Sequence, residues 1–298
     1  MNSKLKTRSD DLELLLAVTE CGGFSGAAQA LDIQVARVSR AVQKIERELG
    51  CNILTRTTRR VVLTEEGKLF VNAVRAGLQQ IESAESDLIN RGGLPQGKLR
   101  IDAASPFIFH QIIPHIQAFK AAYPNIEIEL SSNEEFVDLI EKRTDVAIRI
   151  GKLEDSSLHA RTLGRSPLFM VASPEYLANH GAPKTPHDLL DHELIGFSNV
   201  KTLNKWPLKN SPTITPTLSA SNGETVRQLA LAGNGIACLS GFMVNRDIAS
   251  KKLRVLLAPY HTPNTDRELV NAVYYRSSTV SKRVSAFIDF IKPRLDLS

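Results

Sequence analysis

At 298 residues and 42% hydrophobic content the chain is about twice a typical domain and has the apolar surface for two or three packed cores, which excludes a disordered polypeptide. Its formal net charge of +5 is confined to one window: Gln34 to Arg60 holds Arg37, Arg40, Lys44, Arg47, Arg56, Arg59 and Arg60 against Glu46 and Glu48, and the rest of the chain balances to zero. No run of about 18 apolar residues is present to span a membrane, and the basic start meets Asp10-Asp11 without a signal-peptide core, so a cytoplasmic protein is expected. The three cysteines, Cys21, Cys51 and Cys238, are far apart and lack Cys-x-x-Cys spacing, so they are expected to be reduced, packed thiols.

In chain order, Asp10-Asp11 caps a first helix with Leu12, Leu15, Leu16 and Val18 at helical spacing, and Gly22-Gly23 ends it. Ser25 caps a short second helix that carries Ala27, Ala28 and Leu31 inward, with Phe24 stapling its first turn. From Gln34 to Leu49 a third helix sorts Val38, Val42, Ile45 and Leu49 onto one stripe and Arg37, Arg40, Lys44 and Arg47 onto the other. Small alanines permit a close helix crossing, so this reads as a helix-turn-helix whose second helix can enter a major groove. A dense line of DNA phosphates is the natural partner of such a basic face, and a merely solvated helix surface is the alternative. Gly50 ends the helix, and Arg56-Thr57-Thr58-Arg59-Arg60 followed by Val61-Val62-Leu63 reads as a wing. Its arginines either reach the DNA backbone or keep a hairpin soluble.

Thr64 caps a long helix with Glu65 and Glu66 in its first turn. Its stripe of Phe70, Val74, Gly77/Leu78, Ile81, Ala84 and Leu88 suits pairing with a second copy, or packing on the chain's own core. Asn90 to Gly97 breaks the periodicity and serves as a hinge.

From Lys98 short strands alternate with helices: strand Leu99–Ala104, helix Phe107–Ala122, strand Ile126–Leu130, helix Glu135–Lys142 and strand Asp145–Ile150, an order that implies a parallel sheet. A second lobe begins near Leu168 and includes Leu194–Phe197, Ile214–Ser219, a helix after Ser221-Asn222-Gly223, and Ile236–Leu239. Leu269–Tyr275 and the helix Ser281–Leu295 then return to the first lobe. Two such lobes enclose a cleft, and small molecules bind α/β sheets at strand ends near helix N-termini. Ser105 and Ser221-Asn222-Gly223 occupy such positions and suit a polar or anionic ligand, although a serine before a helix is also an ordinary cap. Arg149, ending an apolar strand, adds a fixed charge or pairs with an acidic neighbour.

The first part of the chain resembles the LysR-type family of bacterial transcription regulators through Phe24, Ala27-Ala28, Leu31, Val38-Ser39-Arg40, Ile45-Glu46, Leu49-Gly50, Leu54, Arg56-Thr57-Thr58-Arg59 and Leu63-Thr64-Glu65-Glu66-Gly67. It departs where the family has serine and glutamine at the start of the recognition helix, since Gln34 and Val35 stand there. The second half is similar more loosely, through Asp145 to Gly151, Ser173 to Leu177, Gly233 to Ile236 and Ala272 to Tyr275. The resemblance implies a cleft domain like a periplasmic solute-binding protein, binding a small inducer, and adds Thr202 to the cleft.

The expected protein is therefore α/β, with a winged helix-turn-helix at 1–64, a dimerising linker helix and hinge at 65–97, and an effector domain at 98–298, its lobe I at 98–167 and 267–298 and lobe II at 168–266. Candidate DNA contacts are Gln34, Val35, Arg37, Ser39, Arg40, Gln43, Lys44, Arg56, Thr58, Arg59 and Arg60. Candidate effector contacts are Ala104, Ser105, Pro106, Arg149, Phe197, Thr202, Ser221, Asn222 and Gly223. Expected partners are double-stranded DNA, a second copy through the linker helix with further assembly to a tetramer or higher, and RNA polymerase, with no membrane and no cofactor beyond an effector, which anionic chemistry would suit. Phosphate-loop, zinc-protease and nucleophile-elbow motifs do not occur, and His187 and His192 are spaced to splay apart, so neither a metal site nor catalysis is expected. The competing readings are a solute-binding protein and an enzyme fused to a DNA-binding head.

Overall fold

The computed structural model describes residues 6–56, 61–89, 94–133, 144–153, 158–275 and 282–297. The chain divides into two compact units, one holding Met1–Ile89, the other Asn90–Leu139 and Thr144–Ser298.

The first unit opens with α1 (Ser9–Glu20), α2 (Phe24–Ala30) and α3 (Val35–Leu49). Two expected caps are displaced. Arg8 stands at the cap of α1 and Asp10 and Asp11 lie inside its first turn, where their charge suits the helix dipole; Gly23 stands at the cap of α2, leaving Ser25 exposed within the helix. Leu31, expected inward, is 45% exposed because α2 ends at Ala30 and the chain turns away through Asp32 at φ 53°. Ala27 and Ala28 are buried beside Leu15, Val18, Val38, Val42, Ile45, Ile53 and Val71, so the alanines do let three helices share one core. Gly50 ends α3 in the left-handed region at φ 71°, its N–H bonded to the Glu46 carbonyl at 2.8 Å.

Strands β1 (Leu54–Arg56) and β2 (Val61–Leu63) pair antiparallel, which is the expected wing; Thr58, Arg59 and Arg60 at its tip lie outside the described residues. The Glu46 carboxylate accepts the N–H groups of Ile53 and Leu54 at 2.9 and 3.0 Å, tying α3 to the hairpin. Thr64 caps α4 (Glu65–Ile89) by accepting the Gly67 N–H at 2.9 Å. The stripe expected to pair with a second copy is divided: Phe70, Val74 and Leu78 pack on this unit's own core, whereas Ile81 is 54% exposed and Ala84 is also exposed. Its first half lies against α1 and β2, which reach only that far along the helix.

The second unit holds two five-stranded sheets. β3 (Gly97–Ala103) is followed by α5 (Ser105–Phe107), a widened π turn (Ile108–Ile112) and α6 (Ile113–Ala122), where an unbroken helix is expected. Pro114 explains the break, since it has no N–H to return to the preceding turn. With β4 (Ile126–Ser132), β5 (Val146–Ile150), β6 (Leu158–Arg165) and, from far along the chain, β12 (Leu269–Tyr275), the first sheet has the order β4-β3-β5-β12-β6. The second contains β7 (Leu168–Ala172), β8 (Leu194–Phe197), β9 (Leu218–Ala220), β10 (Ile236–Ser240) and β11 (Arg254–Leu256) in the order β11-β7-β10-β8-β9, with α7 (Pro174–His180), α8 (Gly223–Leu231) and α9 (Gly241–Ala249). The return of β12 and α10 (Lys282–Ile291) to the first sheet follows the sequence reading.

Both sheets are mixed rather than parallel, because β12 runs antiparallel to β5 and β6, and β7 antiparallel to β10 and β11. These antiparallel strands flank the two places where the chain crosses between lobes, at Ser166-Pro167 and between Leu256 and Leu269. Strands β6 and β11 add to the expected set, and the expected strand Ile214–Ser219 shrinks to Leu218–Ala220 because Pro212 and Pro216 cannot donate to a ladder. The C-terminal helix stops at Ile291, ahead of Pro293, rather than at Leu295, and the helix expected at Glu135–Lys142 lies outside the described residues.

Candidate functional sites

In the first unit α3 buries Val38, Ala41, Val42 and Ile45 and leaves Gln34, Val35, Arg37, Arg40, Gln43 and Arg47 exposed on or at the head of the helix. Ser39 is half-buried. Gln34 stands at the cap position of α3, and its side chain makes no cap hydrogen bond there, in keeping with its departure from the usual serine. Arg40 Nε donates to the Ala36 carbonyl at 3.1 Å, which steadies the side chain along its own helix. Lys44 differs from the arginines: its ammonium lies 2.7 Å from the Asp11 carboxylate, and its side chain is only 35% exposed. That pair explains Asp11 better than capping does. Arg56 occupies the last position of β1.

The second unit contains a cavity of about 160 Å³ between its sheets. Lobe I contributes Ala104, Pro106, Ile148 and Arg149, lobe II contributes Phe197, Leu203, Gly223, Cys238 and Met243, and Arg267 enters from the segment crossing between them. Thus Ala104, Pro106, Arg149, Phe197 and Gly223 meet as expected. Ser105 and Thr202 do not line it; Ser221 is exposed, and the Asn222 side chain accepts the Thr225 N–H at 2.8 Å as an ordinary helix cap. At Gly223 an added Cβ would come within 3.2 Å of both Pro106 and Met243, so a side chain on the first residue of α8 would require those neighbours to give by a few tenths of an ångström.

Among the described residues the charge lining this cavity is that of Arg149 and Arg267, with Asn133 and Ser240 as neutral polar groups. Asp102, 1% exposed, accepts Arg149 Nη1 at 2.7 Å through one oxygen, and Ser131 Oγ at 2.9 Å and Asn133 Nδ2 at 2.5 Å through the other. Both readings of Arg149, cleft residue and partner of an acid, therefore hold. Its Nη2 is buried with no hydrogen-bond partner among the described residues, and so is Arg267 Nε, although Arg267 Nη1 donates to the Lys205 carbonyl at 2.7 Å. Burial pushes the Cys238 thiol up to about 11 even with Arg267 beside it. Arg267 escaped sequence reasoning because only the crossing of distant strands brings it here.

Of the three cysteines only Cys238 is packed; Cys21 and Cys51 are exposed, at a helix end and in the turn before the wing, where no core covers them. His192 accepts or donates to the Tyr176 hydroxyl at 3.2 Å, and burial, then His180, holds it below the usual histidine range. Among the described residues no three His, Cys, Asp or Glu side chains group to hold a metal ion.

Two family patterns match the chain: residues 9–68 fit the bacterial regulatory helix-turn-helix protein of the lysR family, and residues 92–296 fit the LysR substrate binding domain. The chain belongs to the LysR family. This LysR-type transcriptional regulator is 41% identical over 295 residues to the HTH-type transcriptional regulator CrgA of Neisseria meningitidis serogroup C, with 98% of each chain covered. To PtxR of Pseudomonas aeruginosa it is 34% identical, covering 95% of this chain and 92% of the other. The solved structure of CrgA from N. meningitidis shares 40% identity and a TM-score of 0.65 over 97% of this chain and 99% of that one. The regulator is a DNA-binding protein with an effector domain rather than an enzyme, and among the described residues no helix is long and apolar enough to cross a membrane.

Proposed function

We propose that the exposed arginine face of α3 enters the operator's major groove while a small effector occupies the cavity between the lobes. The observation that carries this reading is the partition of α3, with Val38, Ala41, Val42 and Ile45 buried and Arg37, Arg40 and Arg47 exposed on the same helix. Groove-facing candidates are Gln34, Val35, Arg37, Ser39, Arg40 and Gln43; Arg56, Thr58, Arg59 and Arg60 of the wing serve the phosphate backbone, where arginine and threonine are standard donors. Lys44, paired with Asp11, contributes only if that pair opens. Ala104, Pro106, Arg149, Phe197 and Gly223 are the effector contacts the cavity supports.

Signal transfer requires that the effector bind one arrangement of the oligomer more tightly than another. The exposed Ile81 and Ala84 of α4 offer a surface for a second copy, and two heads match the two half-sites of a palindromic operator. Assembly to a tetramer and contact with RNA polymerase extend the same reading, and its place of work is the cytoplasm, with the chromosome. In a gel-shift titration Arg40→Ala is expected to weaken operator binding by roughly 1–3 kcal/mol, the range for a base-reading arginine. Unchanged affinity removes Arg40 from the interface.

A further inference from the structure

We infer that the cavity between the lobes selects a compact organic monoanion, a small carboxylate with an apolar body, through the unpartnered N–H groups of Arg149 and Arg267. The inference rests on the reading of this cavity as the effector site and adds the chemical class of its occupant.

The charge balance points this way. Among the described residues the charged side chains lining the cavity are two guanidiniums, and the neighbouring acid, Asp102, compensates one of them. Asp102 carries a single negative charge, and Ser131, Asn133 and Arg149 already engage both of its oxygens, so its charge offsets one guanidinium and not two. It holds Arg149 by Nη1 and leaves Nη2 unpartnered, so the guanidinium is fixed in place with one donor unused. Arg267 is held in the same manner: Nη1 is anchored on a backbone carbonyl and Nε is unpartnered. The Cys238 thiol beside it stays neutral in the physiological range and cannot supply the missing charge. A buried cationic donor without a partner is a costly arrangement, and a carboxylate satisfies such donors with charge-assisted hydrogen bonds. Both nitrogens are closed to water, so the acid group reaches them as the lobes adjust around it.

The rest of the wall limits the ligand's body. Ile148, Leu168, Phe197, Leu203 and Met243 present hydrocarbon, sulfur and an aromatic ring, and the other polar groups on it, Asn133 and Ser240, are neutral, which favours a largely apolar skeleton and leaves a second carboxylate without a cation. About 160 Å³ lies well below the roughly 300–1,000 Å³ of drug-sized pockets, so the skeleton must be small.

Thermal-shift titration of the full-length protein tests this with butyrate, pivalate and benzoate, their three amides, and succinate. At least one monocarboxylate is expected to stabilise the protein, with its amide and succinate at least tenfold weaker. Arg267→Met is expected to weaken that acid at least tenfold. Because Arg149→Met alone would strand Asp102, the double variant Asp102→Asn/Arg149→Met is the second probe, with the same loss expected. Leu203→Trp, which fills the cavity, should abolish the effect. If amides bind as well as acids, or the acid is held undiminished by both arginine variants, anion selection is overturned while loss in Leu203→Trp preserves the cavity reading. If Leu203→Trp binds normally, the cavity reading fails and this inference with it. A set in which no monocarboxylate stabilises the protein overturns the assigned class.

Discussion

Lys44 and Asp11 show how a single ion pair changes the meaning of a residue. Read from sequence, Lys44 belongs to the basic face and Asp11 to a helix cap; in the fold they form a 2.7 Å ion pair between α3 and α1. The carboxylate neutralises a charge that phosphates would otherwise use. Asp11→Asn is therefore expected to raise affinity for non-specific duplex and to steepen the log–log salt dependence by about one, the slope that accompanies one more neutralised phosphate. An unaltered slope in a salt titration would place Lys44 away from the DNA. The cysteines give a second check at this scale: Ellman's reagent should titrate Cys21 and Cys51 in the native protein at neutral pH, because both are exposed, and Cys238 only after unfolding, because burial raises its thiol to about 11. Rapid reaction of three thiols in the folded protein would contradict the packing around β10.

Among the elements, α8 carries an acid-sensitive link between lobes. Glu224 accepts His110 at 2.8 Å from the π turn of lobe I and Arg227 at 2.8 Å on its own helix, while Arg227 grips Asp247 of α9 at 2.7 and 2.8 Å. Burial by itself would raise the Glu224 carboxyl, but Gln228, His110 and Arg227 together outweigh it and hold it below the usual carboxylate range. A depressed pKa contributes stability that is present above the unfolded value near 4.5 and is lost as pH falls through the folded value. Glu224→Gln should thus flatten the loss of stability below about pH 4.5 in denaturant titrations; an identical acid limb would mean the link contributes nothing.

How far such elements are readable in advance follows from their pattern. Helix α3 is legible because a 3.6-residue repeat and Gly50 agree, and β12 because Leu269–Tyr275 is a nearly unbroken apolar run. Strand β6 is not, since Leu158–Arg165 shows no clean alternation and owes its form to pairing with β12. In the cavity Arg149 stands out as a charge in an apolar strand. Arg267 looks like any loop arginine, and Thr202, added by resemblance, is exposed beside Leu203, which does line the wall.

For the whole molecule, basic face and cavity fall in different units: the concentrated basic window Gln34 to Arg60 belongs to the first, and the two guanidiniums that each keep an unpartnered nitrogen belong to the second. Such a division suits a regulator, since one unit can read DNA while the other reads a small molecule, and their coupling need be no larger than the difference in effector affinity between two arrangements. Everything in this picture depends on the arginine side of α3 meeting nucleic acid. Fluorescence anisotropy of the full-length protein on an operator fragment, across a series of salt concentrations, tests that directly with the variant Arg37→Ala/Arg40→Ala/Arg47→Ala. Weaker binding is expected, with a log–log slope shallower by about 0.9 for each phosphate that the variant no longer neutralises. A variant that binds with the parent's affinity and the parent's slope would contradict the placement of α3 against DNA.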